Sequence, residues 1–449
     1  MTELFGTDGV RGKVNELLTP ELAYQLGRAG AYNFTEKNEN PHKKMVIGRD
    51  TRISGPMLEA ALVAGITSVG VDVILLGVVP TPTVAYLSRT LDVDGGIMIS
   101  ASHNPYPDNG IKFFDNQGFK LMDTVEEDIE EMIKSGVEQL PYATDDKIGR
   151  VEVMEDPLED YLQHLKGTIE GDLKGMKIVL DCANGAAYQA SPRLMEDLGA
   201  EVVTIFDDPD GVNINTQCGS THPEQLQKVV VEHNADMGIA HDGDADRLIA
   251  VDENGELING DDIMAICGLD LKEKGKLKND TVVVTVYSNL GLKELLENND
   301  ATISQTKNGD RYVLERMKEE DYNLGGEQSG HIIFLDHGTT GDGVLSALQL
   351  LSVVKNSSKK PSELAGQLQP WPQLNDSVTV ERKEELKENK DIMDAVAAAK
   401  ERLEAKGGRI LVRASGTEPV IRVMLEGKEL AQLEEEMGPL KEIIDQELN

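Results

Sequence analysis

Ser102 and His103 stand side by side in Ile97–Pro105, IMISASHNP, where an apolar run ends in small residues before a proline. A hydroxyl beside an imidazole on a surface loop is one way to present a serine nucleophile. Such a group needs access and a neighbour that manages its proton or charge. Alone, the stretch reads more readily as a plain turn, and three further loops change the balance.

Asp242-Gly243-Asp244-Ala245-Asp246-Arg247 follows the apolar strand Met237–Ala240. Carboxylates at alternate positions of an extended segment point the same way, so the three aspartates are expected to converge on one hard cation. The competing reading is a solvated acidic turn, but three like charges this close repel without a counter-ion. An EF-hand fails, because its obligatory glycine falls on Arg247 and Leu248–Val251 reads as strand where a helix should follow. Three carboxylates leave coordination positions open, the pattern of a Mg²⁺ ion shared with a phosphate oxygen.

Gly325–His331, GGEQSGH, is glycine-rich with Glu327, Ser329 and His331 as hydrogen-bonding side chains suited to hydroxyls, or else an ordinary turn. Arg413–Pro419, RASGTEP, with Arg422 beyond it, concentrates guanidinium, hydroxyls and exposed amides. That composition suits phosphate, against the alternative of a hairpin turn with a stray arginine. Each of the four loops follows an apolar strand, and in open α/β sheets ligands sit outside the carboxyl ends of strands. Converging on one cleft, the loops would supply a hydroxyl, a metal, a sugar grip and a phosphate grip. Together these specify phosphoryl transfer on a phosphorylated polyol.

The elements that must position these loops repeat one plan. Met45–Gly48, a helix near Pro56–Ser68 and Asp72–Leu76 form the first unit. Lys177–Leu180, a helix near Ser191–Leu198 and Glu201–Ile205 form the second. Thr281–Val286, a helix near Leu290–Leu296 and Thr302–Gln305 form the third. Period-3.6 runs alternating with β-branched strands predict α/β units with largely parallel pairing. The C-terminal part reads differently: helix Asp391–Ala405, strand Arg409–Arg413, strand Val420–Leu425 and helix Leu430–Glu447 make a small α+β unit. It is expected to hang on one proline-bearing linker, Gln367–Asn375, and to rotate about it when ligand binds. The predicted fold is therefore three similar α/β domains (1–156, 157–259 and 260–368) with mixed, largely parallel sheets. A smaller C-terminal α+β domain (375–449) joins them around a central cleft.

Composition narrows the function. The chain of 449 residues carries 44 Lys+Arg against 80 Asp+Glu, a formal charge of −36. That excess disfavours nucleic-acid and anionic-membrane partners, which need basic surfaces. No segment approaches 18 uninterrupted apolar residues. Cys182, Cys218 and Cys267 show neither disulfide nor zinc spacing. The opening MTELFGTDGVRG does not read as a secretory signal, so a cytoplasmic protein is expected.

With SASHNP at Ser100–Pro105, DGDADR at Asp242–Arg247, GEQSGH at Gly326–His331 and RASGTEP at Arg413–Pro419 in this order, the chain resembles the α-D-phosphohexomutases over essentially its whole length. Phe5–Gly12, FGTDGVRG, is similar to the opening of the amino-sugar branch, and Gln328 stands where neutral-hexose members typically carry methionine. The resemblance implies an intramolecular phosphotransferase of the isomerase class, with Ser102 carried as phosphoserine. One Mg²⁺ per chain would be held by Asp242, Asp244, Asp246 and a phosphoserine oxygen. Arg11 and Lys112 would flank the phosphoserine, and Arg247, His103 and His331 complete the expected catalytic set. Glu327 and Ser329 would grip sugar hydroxyls, and Lys307, in TKNGDRY, would reach the substrate. Arg413, Ser415, Gly416, Thr417 and Arg422 would hold the non-reacting phosphate. The implied substrate is a hexosamine phosphate, passing through a glucosamine 1,6-bisphosphate (or glucose 1,6-bisphosphate as activator) on the route to UDP-N-acetylglucosamine and the cell wall. Neutral-hexose members of the family, a Mg²⁺-dependent sugar phosphatase and a sugar-phosphate sensor are the alternatives. Oligomeric state is open, a homodimer among the options.

Overall fold

The computed structural model describes residues 4–6, 8–36, 43–415 and 419–449. Its first sheet has strands β1 (Val10–Lys13), β2 (Lys44–Arg49), β3 (Asp72–Val78), β4 (Gly95–Ile99), β5 (Asp108–Asp115) and β6 (Val151–Val153), in the order β1-β5-β4-β2-β3-β6. The second comprises β7 (Lys177–Asp181), β8 (Glu201–Ile205), β9 (Met237–His241), β10 (Leu248–Val251) and β11 (Leu257–Ile258), ordered β11-β10-β9-β7-β8. The third is built from β12 (Thr281–Thr285), β13 (Thr302–Thr306), β14 (Leu324–Gly326) and β15 (Ile332–Phe334), ordered β13-β12-β14-β15. The fourth is β16 (Gln373–Thr379), β17 (Arg409–Ala414) and β18 (Val420–Glu426), antiparallel with β18 central.

The first three sheets share one design. Parallel pairs form the middle (β2 with β3 and β4, β7 with β8 and β9, β12 with β13 and β14). In each, the last parallel strand then turns back into an antiparallel neighbour: β4 into β5, β9 into β10, β14 into β15. Strands β4, β9 and β12 are buried at every position, which is why they read as continuous apolar runs rather than as alternating ones. The three chemistry-bearing loops are these hairpin connections, at the carboxyl ends of β4, β9 and β14. The expected α/β class and parallel pairing are present, with the predicted strands displaced at their ends by a residue or two.

Three expectations change. The helix predicted near Ser191–Leu198 begins earlier, at Ala187, and carries Pro192 within it. Proline is favoured in a first helical turn, which drew the expected start too far along the chain. The stretch taken as linker runs into β16 from Gln373 onward, a strand hidden by its polar, weakly alternating sequence QLNDSVT. The C-terminal part also hangs on more than one linker. The chain forms two compact units, one gathering everything up to Ser288 plus Asn299–Gln367, the other Asn289–Asn298 plus Leu368–Asn449. The helix Leu290–Asn298 is the expected crossover between β12 and β13, and its contacts group it with the second unit. Its Leu290 N–H donates to the buried Glu426 at 2.7 Å, Asn289 pairs with the Trp371 backbone, and Glu294 accepts from Trp371 Nε1. The chain crosses between the units at residues 288–289, 298–299 and 367–368.

Two glycines place the site. Gly9 has φ +79°, and a Cβ there would lie 2.3 Å from the Ile111 carbonyl oxygen, so its absence lets the N-terminal segment lie against β5 beside Lys112. Gly330 has φ +91°, and its Cβ would lie 2.0 Å from the Leu248 carbonyl oxygen. The Leu248 N–H donates to Gly330 O at 3.0 Å, tying the glycine-rich hairpin to the residue just after the aspartate run. Gly330→Ala combines an unfavourable backbone region with a backbone clash, so it is expected to cost about 1–3 kcal/mol. The check is a lowered thermal midpoint of the first unit, together with weaker binding of sugar phosphate.

Candidate active site

Ser102 is the first side chain after β4 whose backbone turns left-handed, with φ +52°. The expectation of a surface loop is wrong here: Ser102 is 1% exposed. Its turn is held from below, because the carbonyls of Ser102 and Asn104 both accept from Arg52 Nη2 (3.1 and 2.6 Å) and from Asn215 Nδ2 (2.9 and 3.0 Å). Arg52 is itself fully buried on Asp50. The Ser102 hydroxyl donates to Asp242 Oδ2 at 2.6 Å, and His103 Nδ1 lies 3.2 Å from Ser102 Oγ.

The three aspartates converge, though not by the expected route. Residues 242–247 are a tight turn between β9 and β10, with Ala245 N–H donating to Asp242 O and Ala245 at φ +58°, not an extended segment. One oxygen from each of Asp242, Asp244 and Asp246 lies within 4.8 Å of the others, and all three side chains are buried. Asp244 Oδ2 accepts from Lys112 Nζ (2.7 Å) and from Thr81 Oγ1 (2.6 Å). Asp244 Oδ1 and Asp246 Oδ1 are buried with no hydrogen-bond partner among the described residues. Buried acceptors without partners carry a full desolvation cost. Two such oxygens beside a third carboxylate form a donor set that fits a hard divalent cation such as Mg²⁺.

Electrostatics sorts these groups. Burial, then the like charges of Asp246 and Asp244, push the Asp242 carboxyl well above the usual range, a penalty that a cation would remove. Burial also opposes ionisation of Asp244, but the Lys112 charge and the bonds from Lys112 and Thr81 hold its pKa below the usual range. Lys112 is 1% exposed, not a snorkelling lysine. Burial disfavours its charge, yet Asp244, Asp8 and Asp246 together raise its pKa above the usual value. It is a fixed cation, not a proton shuttle. Burial and the charges of Arg247 and Arg11 lower His103 to about 4, so it is neutral near pH 7. Arg11 pairs with Asp8, and Arg247 places its Nε 3.9 Å from Asp246 Oδ1 and donates its backbone N–H to Asp242 Oδ1 at 3.2 Å.

His331 closes the group from the β14–β15 hairpin. It is buried, its Nε2 lies 3.9 Å from Asp246 and 3.6 Å from Asp310, and neither ring nitrogen has a hydrogen-bond partner among the described residues. In the same hairpin Glu327 accepts from Gly309 N–H at 3.2 Å and from the exposed Ser329 hydroxyl at 3.3 Å. Lys307 follows β13, exposed, with its ammonium 5.8 Å from the Tyr312 ring. In the C-terminal unit Arg413 and Arg422 are direct cross-strand partners on β17 and β18, like charges that an anion would favour. Ser415 is buried there, its N–H donating to Val420 O and its carbonyl accepting from Lys383. Gly416 and Thr417 lie outside the described residues. Sequence reasoning missed Asp8, Thr81, Lys120, Asp310, Arg52 and Asn215. Only Asp8 and Asp310 had a signal, lying within motifs already quoted, FGTDGVRG and TKNGDRY.

Serine on a metal-type aspartate triad, at the hairpin ends of three repeated α/β sheets, defines a phosphohexomutase. Residues 2–140, 159–255 and 259–371 match phosphoglucomutase/phosphomannomutase alpha/beta/alpha domains I, II and III, and 377–439 match the family's C-terminal domain. The chain belongs to this phosphoglucomutase/phosphomannomutase family. Relatives that match over the full length are phosphoglucosamine mutases. That of Pelotomaculum thermopropionicum is 56% identical and that of Desulforamulus reducens 54%, each aligned over 99% of both chains. A crystal structure of a phosphoglucomutase/phosphomannomutase family protein from Burkholderia thailandensis superposes with a TM-score of 0.83 at 25% identity, covering 100% of this chain and 99% of its own.

Two outcomes follow from the electrostatics. Asp244→Asn removes one ligand charge and should raise the Mg²⁺ concentration for half-maximal activity by about tenfold or more. A Mg²⁺ titration of activity checks this. His103 has a folded pKa below its unfolded value of about 6.5, so the folded state binds fewer protons. Its contribution to stability is present above pH 6.5 and is lost as pH falls toward 4, the value its folded state reaches. His103→Gln should flatten that part of the stability–pH curve, read from denaturant midpoints between pH 4 and pH 7.

Proposed function

We propose that this chain interconverts glucosamine 6-phosphate and glucosamine 1-phosphate through a phosphoserine at Ser102 and a 1,6-bisphosphate intermediate. The observation that carries the reading is the Ser102 hydroxyl bonded to Asp242 within a buried three-aspartate cluster, in a chain more than half identical to full-length phosphoglucosamine mutases.

The residues divide the work. Asp242, Asp244 and Asp246 would hold Mg²⁺, which when bound offsets charge on the transferring phosphoryl. Arg52 and Asn215 fix the Ser102 backbone, so the nucleophile arrives pre-oriented. Lys112 and Arg11 add fixed positive charge where phosphoryl oxygens gather. In the forward direction the bond from phosphorus to Ser102 Oγ breaks as the substrate's 1-hydroxyl oxygen bonds phosphorus and gives up its proton. His331, with both ring nitrogens uncommitted among the described residues, is suited to take that proton. The bisphosphate then turns end for end, and the bond from its 6-oxygen to phosphorus breaks as Ser102 Oγ bonds that phosphorus, the 6-oxygen taking back the proton that His331 received. Glu327, Ser329 and Lys307 grip the sugar, while Arg413, Ser415, Gly416, Thr417 and Arg422 hold the idle phosphate.

Retaining the bisphosphate calls for a movable C-terminal unit. Rotation at the chain crossings, that at Gln367–Leu368 among them, would supply the movement. A cytoplasmic location and an amino-sugar preference through Gln328 complete the proposal.

The test assays glucosamine, glucose and mannose 6-phosphates in parallel. Glucosamine 6-phosphate should be turned over fastest, and equal turnover of all three would place the chain with the neutral-hexose enzymes. Ser102→Ala should lower the mutase rate by on the order of 10³-fold or more, with the fold retained. Release of inorganic phosphate at the rate of substrate loss would instead support a phosphatase.

A further inference from the structure

Three carboxylates alternate with two lysines and a histidine around a closed ring of six groups. Asp246 lies 3.6 Å from Lys112 and Lys112 lies 3.0 Å from Asp8. Asp8 and Asp310 each lie 2.5 Å from Lys120. Asp310 lies 3.6 Å from His331, which faces Asp246 at 3.9 Å. Half the ring (Asp246, Lys112, His331) has a part in the proposed reaction, and no step is assigned above to the other half. Asp8 precedes β1, Lys120 follows β5, and Asp310 is the first residue of the helix Asp310–Glu319. The ring thus ties the N-terminal segment and first sheet to the hairpin and helix of the third sheet, within one compact unit.

We propose that Lys120 is a positioning residue for phosphoryl transfer. By neutralising Asp8 and Asp310 together it keeps Lys112 on the metal ligand Asp244 and leaves His331 facing the metal site. This rests on the mutase reading above. The physical argument is competition for a cation. Asp8 accepts Lys112, Lys120 and Arg11 at once. Without Lys120 its carboxylate leans on the remaining two and draws Lys112 from Asp244 Oδ2, which sits only 2.7 Å from the same ammonium. Asp310 would then be left facing the His331 ring at 3.6 Å, where it can accept an N–H from it. Five of the six ring members line a cavity of 240 Å³ that also has Phe119, Leu121, Leu314 and Ile333 in its wall. Next to apolar wall, charge couplings of this kind are stronger than in water. A merely structural staple would be satisfied by any packing replacement, whereas this role depends on the charge.

The experiment compares wild type with Lys120→Met, Lys120→Arg, Asp310→Asn and the Lys120→Met/Asp310→Asn double variant. It measures kcat, KM for glucosamine 6-phosphate, Mg²⁺ affinity by calorimetry, and thermal midpoint. Lys120→Met should lower kcat about 10–100-fold with KM within about twofold, and weaken calorimetric Mg²⁺ binding several-fold, in line with loss of an outer-shell partner. The double variant removes a surplus carboxylate and should recover part of kcat, and Lys120→Arg should keep most of it. Folded Lys120→Met with wild-type kcat and Mg²⁺ affinity overturns the proposal, as does a double variant whose losses simply add. If Lys120→Met does not fold, Lys120→Gln, neutral but polar and of similar reach, decides: a drop in kcat of about tenfold at unchanged KM supports the proposal, and wild-type kcat refutes it. Failure of the mutase reading shows separately, as wild type that turns over none of the three sugar phosphates.

Discussion

Three carboxylates buried within 4.8 Å of one another are the constraint on which the rest of the molecule depends. Like charges in a low-dielectric interior repel strongly, and a chain bearing 80 acidic residues offers no background relief. The surrounding structure answers with local positive charge. Lys112, on β5, is buried against Asp244, Thr81 adds a hydroxyl to the same oxygen, and Arg247 approaches Asp246. Even so, two aspartate oxygens stay unpartnered among the described residues and Asp242 is held far from its ordinary ionisation. The cluster is incomplete without a cation, and its Asp242 already holds Ser102.

The backbone design makes such a cluster attainable. Each of the three larger sheets turns its last parallel strand into an antiparallel partner, so a short hairpin loop stands at the strand's carboxyl end. A hairpin fixes its loop at both ends, which positions catalytic groups more tightly than a long crossover would. Left-handed residues then aim the side chains, with Ser102 and Ala245 each supplying one bend. Strain of this kind persists where its surroundings over-determine it. At Ser102 the paired grips of Arg52 and Asn215 on the carbonyls of Ser102 and Asn104 provide that.

Much of this was legible in the chain. The fully buried parallel strands declare themselves as unbroken apolar runs, and the Asp-Gly-Asp-Ala-Asp run declares its metal chemistry through residue type alone. What stayed hidden depends on distance in sequence. Lys120 and Asp310 meet across 190 residues, and Thr81 and Asp244 across 163. No local period records such pairings. The strand Gln373–Thr379 was hidden because, packed on one neighbour at the edge of a small sheet, it needs few apolar residues. The helix Leu290–Asn298 is the crossover of the third unit that the sequence suggests, but its bonds to the buried Glu426 and to Trp371 reach far along the chain and leave no local trace. Ser102 was misjudged as exposed because small polar residues usually mark turns at the surface, whereas here the turn is folded under Arg52.

The proposed reaction turns on Ser102 carrying a phosphoryl group over the aspartate cluster. The most direct measurement is intact mass with phosphopeptide mapping after the purified chain meets glucose 1,6-bisphosphate and Mg²⁺. The account predicts one phosphoryl group per chain, on Ser102, that leaves when glucosamine 6-phosphate is added. A chain that gains none, or gains it on a residue other than Ser102, would contradict it.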